Sequence, residues 1–133
     1  MSDDPAGTVR RAYEAWNGGD MDAFFEIVAP DVEWWPSEQS PEPGPFRGRD
    51  ALAGFMRSYF DSFDEIMFEL EDVVPGGEAD QVLVLLTLHT RGKGSGVEVE
   101  IRIGHVLTVR DGKIARGRVY TDLDDARAAA GLT

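Results

Sequence analysis

From Gly96 to Asp122 the sequence alternates apolar and polar residues with the period of a β-strand. The dipeptide Asp111-Gly112 lies in the middle of this stretch, and Asp-Gly between alternating residues is the strongest short-range signal for a β-hairpin. The stretch therefore predicts two long antiparallel strands. A two-residue loop would pair Val109 with Ile114 and would continue that register to the ends of both strands.

The two faces of this predicted hairpin differ in character. One face carries His105 and bulky residues that another surface must cover, namely Val97, Val99, Ile101, Ile103, Leu107 and Val109. The other face is small in its middle, at Gly104 and Gly117, and charged toward its far end. Because small side chains on a curved sheet leave room, we expect the second face to be the wall of a cavity. The first face would then be buried against another part of the chain or against a second copy.

The first half of the chain has the 3.6-residue period of helices. Asp4, Asp20 and Asp50 are predicted to cap three successive helices, and Asp122 a short fourth one near the end. The first and third helices carry apolar stripes, formed by Val9, Ala12, Tyr13 and Trp16 and by Leu52, Phe55, Met56, Tyr59, Phe60 and Phe63. Most of these aromatic residues are expected in the core, and some of them would line the cavity.

Three further strands are predicted before the hairpin, the first of them between the second and third helices. Residues 31–35 form a short strand, and a proline-rich loop follows at 36–47. Residues 66–74 alternate, whereas residues 81–90 are apolar on both faces and should lie centrally in a sheet. Helices followed by antiparallel strands indicate an α+β fold, with all 133 residues in one domain. Apolar sheet residues that the helices leave uncovered favour a homodimer through the outer sheet face.

Composition narrows the classes of partner. The net charge is −12 and there is no cysteine. A chain this acidic is repelled by phosphate, so we expect neither nucleic acid nor a membrane surface as a partner. We also expect no cofactor and no metal, and a neutral or cationic small molecule, or another protein, as the partner. No segment reads as a membrane span or a secretory signal, so the expected location is cytoplasmic.

Several segments together resemble a known family. YEAWNGGDMDAFFEIVAPDVEWW, FRGRDALAGF and HVLTVRDGKIARGRVYTD, with a terminal DDARAAAGL, are similar to the SnoaL-like branch of the nuclear-transport-factor-2-like superfamily. The resemblance spans nearly the whole chain in the family's order. It implies a cone-shaped, strongly curved antiparallel sheet with three N-terminal helices on its concave face, a cystatin-like α+β cone. It also implies a pocket at the wide end and dimerisation through the outer sheet face.

The resemblance does not transfer a known set of catalytic residues. The tyrosine and two aspartates of the related ketosteroid isomerases fall at Ala12, Trp35 and Gly104, and the chemistry of those enzymes is a standard example of a tuned pKa. The water-activating residues of the limonene epoxide hydrolases fall at Leu86, Leu88 and Val119. These roles are expected to be vacant. A SnoaL-type cyclase stays open, because its ligand supplies most of the acidity.

Three charged residues are the candidates for chemistry. Glu33 would point inward from the short strand, and Glu100 with Arg102 would lie on the cavity face, where they could bind a polar group or position a water molecule. The alternative is a surface position for Glu33 and a structural ion pair for the other two. His89 and His105 are expected to face outward as interface or core residues, not as a catalytic or metal site.

Two functions remain open from the sequence. In the first, the protein binds a small, largely apolar molecule, with an isomerase, cyclase or lyase reaction as one option. The predicted pocket residues are Tyr13, Trp16, Trp35, Phe55, Tyr59, Leu86 and Leu88. In the second, the chain is a non-catalytic dimeric module for ligand or protein binding whose cavity is filled by side chains.

Overall fold

A computed structural model describes residues 4–37 and 44–132. Four helices surround a six-stranded sheet with the strand order β2-β1-β6-β5-β4-β3. Neighbouring strands are antiparallel except for β1 and β6, which run parallel. The elements in chain order are α1 Pro5–Asn17, α2 Met21–Ile27, β1 Val28–Trp35, β2 Phe46–Arg47, α3 Arg49–Phe60, β3 Phe63–Pro75, β4 Gln81–Gly92, β5 Glu98–Arg110, β6 Lys113–Tyr120 and α4 Leu123–Ala129.

Three of the four helices begin at the capping aspartate that the sequence predicts. Asp4, Asp20 and Asp122 each accept a hydrogen bond from a backbone N–H in the first turn of the helix that follows. The prediction for α3 is wrong, because its N-cap is Gly48 and Asp50 lies within the first turn. An acidic residue there is still favourable, since the N-terminal end of a helix carries partial positive charge.

The α+β cone is confirmed. Helices α1, α2 and α3 cover one face of the bent sheet, and their apolar stripes form the core together with β4, β5 and β6. Val9 of α1 and Leu86 of β4 are both fully buried in this core. Within the described residues, no helix is long and apolar enough to span a membrane.

The predicted hairpin turn is present, but the predicted register is not. Asp111 and Gly112 have φ of 54° and 72°, which is the left-handed conformation that a tight hairpin turn of this type requires. Val109 pairs with Ile114 as expected. Ala115 is then an extra residue in β6, so the register shifts and Leu107 pairs with Gly117 instead of with Arg116. Such a β-bulge exchanges the two faces of a strand beyond it.

The prediction that the face with Gly104 and Gly117 forms the cavity wall is wrong, whereas Leu107 and Val109 of the bulky face are buried within the same chain, which is one of the two expected outcomes. Ile103, His105 and Leu107 of β5 face the helices and the cavity, whereas Gly104 and Val106 face the convex side. The convex side is covered there by α4, whose Ala126 lies so close to Gly104 that a Cβ on the glycine would come within 2.7 Å of the Ala126 Cβ. The small residue thus makes room for a helix and not for a ligand.

Helix α4 covers apolar residues of the outer sheet face, through which the homodimer was expected to form. The bulky residues on the convex side, including Leu83, Leu85 and Val106, are buried beneath α4 within a single chain. The exposed large apolar side chains include Val97, Val99 and Ile101 near the free end of β5, on the concave face. A homodimer through the outer sheet face stays a prediction. Leu83, Leu85 and Val106 give it no exposed apolar patch, because α4 covers them.

Candidate ligand-binding site

The space between the helices and the concave face of the sheet holds two adjoining chambers. The inner chamber has a volume of about 60 Å³ and the outer one about 560 Å³. The outer volume lies in the range of small-molecule sites in proteins. Five residues line both chambers and mark the boundary between them, namely Trp16, Trp34, Met56, Phe68 and His105.

The chambers have an apolar, largely aromatic wall. Phe55, Tyr59 and Phe60 of α3 form one side of the outer chamber, and Leu88 and Ile103 of the sheet form the other. The polar side chains in its lining are Ser37, Tyr59, His105 and Thr121. Among the described residues, no Asp, Glu, Lys or Arg lines either chamber. A bound molecule would therefore meet mostly hydrocarbon surface.

A buried hydrogen bond joins Tyr13 to His105 at the inner end of this space. Tyr13 lies on the apolar stripe of α1, and its hydroxyl group contacts the Nδ1 atom of His105 on β5. Tyr13 keeps 8% and His105 only 3% of its surface exposed, so neither ring can rely on bulk water. A polar group buried at this depth is costly unless it is hydrogen-bonded, and the two side chains satisfy each other.

Aromatic rings hold the imidazole of His105 on three sides. The Tyr13 ring lies end to end with it through the hydrogen bond, with an interplanar angle of 22° and centroids 5.9 Å apart. The rings of Trp34 and Phe68 meet it edge to face at 5.6 Å and 5.8 Å. These contacts fix the orientation of the ring, so its second nitrogen has a defined position beside the cavity.

Burial keeps both members of this pair uncharged. Desolvation lowers the pKa of His105 to about 3, far below the ordinary value of 6.5. Desolvation also raises the pKa of the Tyr13 hydroxyl. The site at neutral pH is therefore a neutral imidazole hydrogen-bonded to a neutral phenol. It can donate or accept hydrogen bonds, but it carries no charge.

The predicted pocket residues divide into two groups. Tyr13, Trp16, Phe55, Tyr59 and Leu88 line the chambers. Whether they contact a ligand stays a prediction.

Leu86 and Trp35 do not line either chamber. Leu86 is fully buried in the core beneath α1. Trp35 lies on the convex face, where the Arg118 guanidinium is 5.5 Å from the centre of its ring. The predicted pocket position of Trp35 is wrong because Val32 and Trp34 point inward, and alternation turns Trp35 outward.

The predicted positions of the three charged candidates are wrong as well. Glu33 neighbours the inward-facing Trp34 and points away from the cavity, with its carboxylate 3.7 Å from Arg47. Glu100 contacts His89, and Arg102 contacts Glu71, all on the convex face. None of the three lines the chambers. Glu100 and Arg102 are even-numbered residues of β5, whose odd-numbered residues face the helices, and Glu33 alternates with the inward-facing Val32 and Trp34.

The convex face instead carries a network of charged side chains. His89 lies between Glu69 and Glu100, with nitrogen-to-oxygen distances of 2.7 and 3.2 Å. The hydrogen bond to Glu69 raises the pKa of His89. The hydrogen bond from Arg102 lowers the pKa of Glu71. No group of three or more potential metal-ligating side chains is found among the described residues.

Sequence reasoning missed His105 and Trp34 at the site. His105 was expected to face outward, yet it alternates in phase with Ile103 and Leu107, on the most apolar face of the hairpin. That face is the one that amphipathic helices should cover, which is the signal that could have placed His105 inside. Tyr13 and His105 also lie one position beyond Ala12 and Gly104, where the resemblance implied vacant roles.

Comparisons with known proteins agree with this architecture. A sequence profile of the SnoaL-like domain matches residues 9–117. The chain belongs to the SnoaL-like family. The uncharacterized protein Rv0034 of Mycobacterium tuberculosis is 30% identical over 125 residues, which cover 92% of this chain and 93% of the relative.

Solved structures of similar fold come from several bacteria. An NTF2-like protein of unknown function from Burkholderia pseudomallei has a TM-score of 0.80 at 23% identity, with 98% of both chains covered. The protein Rv0760c of Mycobacterium tuberculosis, solved in complex with estradiol-17beta-hemisuccinate, has a TM-score of 0.77 at 22% identity, with 91% of this chain and 96% of that chain covered. At these identities the likeness establishes the fold.

Proposed function

We propose that this protein binds a small, largely apolar molecule in the cone cavity and hydrogen-bonds one oxygen of that molecule through His105. The observation that carries the proposal is the apolar chamber of about 560 Å³ with a buried, neutral imidazole at its inner end. A ligand would gain free energy mainly by burying its hydrocarbon surface against Trp16, Trp34 and Phe55. The imidazole would orient it. Rv0760c, which is similar in fold, was solved with a steroid derivative, and this supports a flat, largely apolar ligand.

An isomerase, cyclase or lyase reaction is the second candidate, and the Tyr13–His105 pair favours it. A neutral histidine can polarise a carbonyl group by donating a hydrogen bond, as in the known case of triosephosphate isomerase. Polarisation of that kind would acidify a neighbouring C–H group of the ligand. The described lining holds no carboxylate to accept that proton. Binding therefore stands first, and catalysis would require a ligand that is itself acidic.

A blocked-cavity variant tests the proposal against a matched control. Leu88 lines the outer chamber, and its neighbour Thr87 lies on the convex face. Leu88→Trp should place an indole ring inside the chamber and narrow it, whereas Thr87→Trp adds the same side chain outside it. Binding of 2-acetylnaphthalene is followed by quenching of tryptophan fluorescence and by thermal stabilisation of the folded protein. Wild type and Thr87→Trp should bind with similar affinity, and Leu88→Trp should bind more weakly.

Two results would contradict the proposal. One is equal affinity of all three proteins for the probe, which would place binding outside the cavity. The other is the absence of binding by folded wild-type protein across a set of naphthyl and steroidal probes. The second result would favour the alternative function, a non-catalytic dimeric interaction module that does not use the cavity for such ligands.

A further inference from the structure

We infer that Tyr13 fixes the tautomer of His105, so that the site offers a hydrogen-bond donor at Nε2 and selects ligands whose buried oxygen only accepts, such as ketones and quinones, over the matching alcohols. This inference rests on the proposed function, because it names the ligand class for the same cavity. It makes Tyr13 a positioning residue that acts through His105.

The direction of the Tyr13–His105 hydrogen bond follows from the hydrogen count. Within residues 4–37 and 44–132, the Tyr13 hydroxyl has one partner, the Nδ1 atom of His105. If Nδ1 carried the proton, it would donate to the phenol oxygen, and the buried phenol hydrogen would have no acceptor. When Tyr13 donates, that hydrogen is satisfied and Nδ1 uses its lone pair. The second arrangement leaves no buried donor unpaired.

A neutral imidazole has a single N–H group. With Nδ1 occupied as an acceptor, the proton must sit on Nε2. Within the described residues, Nε2 has no hydrogen-bond partner. It is also not fully buried, since Trp35 Nε1 is the fully buried polar side-chain atom there that lacks a partner. Because His105 lines both chambers, Nε2–H is available to a ligand.

An Nε2–H donor in an apolar wall discriminates between oxygen groups. A carbonyl oxygen accepts the hydrogen bond and has no hydrogen of its own to satisfy. An alcohol can accept the same bond, but its own O–H is then buried near Trp34 and Phe68, which offer no acceptor side chain. Leaving that donor unpaired should weaken binding about tenfold relative to the ketone.

The tautomer can be read in the protein without any ligand. The chain has 2 histidines, so the nitrogen-15 spectrum of imidazole-labelled protein is simple, and His89→Gln assigns the two sets of signals. We expect a protonated Nε2 and a bare Nδ1 for His105 in the wild type. In Tyr13→Phe the acceptor role of Nδ1 is no longer imposed, so the signals should move toward a mixture of tautomers.

The ligand class is tested with 2-acetylnaphthalene and 1-(2-naphthyl)ethanol, which differ only in the oxygen group. The wild type should prefer the ketone about tenfold, and Tyr13→Phe should lose most of that preference. Val9→Ala, which loosens the core beside Tyr13 but lines neither chamber and removes no hydrogen bond, should keep it. This control separates tautomer control from a general loosening of the core around Tyr13.

The outcomes separate the inference from the function beneath it. A protonated Nδ1 in the wild type, or equal affinities for the two probes, would overturn the inference while binding in the cavity stands. Failure of folded wild-type protein to bind either probe would overturn both.

Discussion

His105 and His89 lie on opposite faces of the sheet, and their surroundings shift their pKa values in opposite directions. Burial among aromatic rings lowers the pKa of His105 to about 3. The carboxylate of Glu69 raises the pKa of His89. The same residue type is thus kept neutral inside the cone and favoured as a cation outside it, which gives the two histidines separate effects on stability.

His105 should make the fold less stable in mild acid. In the unfolded chain its pKa returns to about 6.5, so below that pH the unfolded state binds a proton that the folded state does not. Stability therefore falls as the pH drops, by about 2 kcal/mol between pH 7 and pH 5. His105→Gln removes this titration, and its amide can still accept from Tyr13. Urea unfolding at several pH values should show a shallower loss for the variant.

His89→Gln is the matched control, with the opposite sign. Because the folded pKa of His89 is raised, its ion pairs stabilise the fold below the unfolded pKa of 6.5 and stop doing so as the pH rises through the folded value. Removing His89 should therefore leave the loss in acid as steep as in the wild type, or steeper. Parallel profiles for wild type and His105→Gln would contradict the burial of a neutral His105.

At the scale of elements, two glycines decide how the sheet meets its neighbours. Gly104 lets α4 pack on the convex side, and Gly117 lets the ring of Trp34 lie across β6 on the concave side, because a Cβ at Gly117 would overlap that ring. From sequence, both glycines were assigned to one face of the hairpin. The extra residue Ala115 between them puts them on opposite faces.

This bulge marks the limit of what the sequence could predict. Helix caps and the Asp111-Gly112 turn depend on nearby residues, and most of them follow from the sequence. The face of a strand depends on every residue between it and the turn, so one bulge reverses Arg116 and all that follows. The aromatic residues of α1 and α3 line the cavity as the sequence predicts. The face of a helical residue follows from the stripe on its own helix, so it does not depend on a distant turn or bulge. Glu100 is misplaced because the cavity was predicted on the even-numbered face of β5, which the bulge in β6 does not alter. Trp35 is misplaced because it alternates with the inward-facing Val32 and Trp34.

Gly104→Ala should destabilise the protein by disturbing the packing of α4. The new Cβ would lie 2.7 Å from the Cβ of Ala126, closer than packed carbon atoms approach. Overpacking of this kind costs about 1–3 kcal/mol. The free energy of unfolding in urea measures it. Gly54→Ala is the control, since a Cβ there meets nothing within 4 Å on α3, and the exchange should stabilise by about 0.5–1 kcal/mol. Equal effects of the two exchanges would show that α4 does not depend on contact at Gly104.

At the scale of the whole molecule, charge and cavity are separated in space. The chain carries a net charge of −12, yet the described lining of the cavity has no ionisable carboxylate or cation. The acidic residues keep the outside hydrated, and the inside offers hydrocarbon with a single buried imidazole. Both properties act against an anionic ligand, one by repulsion at long range and the other by loss of hydration.

The protein should therefore bind 2-acetylnaphthalene far more tightly than 2-naphthoate, which has the same ring system. A carboxylate in the chamber would lose its water and meet no cation, so we expect its affinity to be lower by roughly 100-fold or more. Titration calorimetry at low and high salt separates the two causes. Salt screens repulsion across several ångströms but does not replace lost hydration, so the difference should shrink only slightly at high salt. Equal affinities at low salt would place a cation beside the bound carboxylate, and near-complete recovery at high salt would make surface charge, not the apolar lining, the basis of selection.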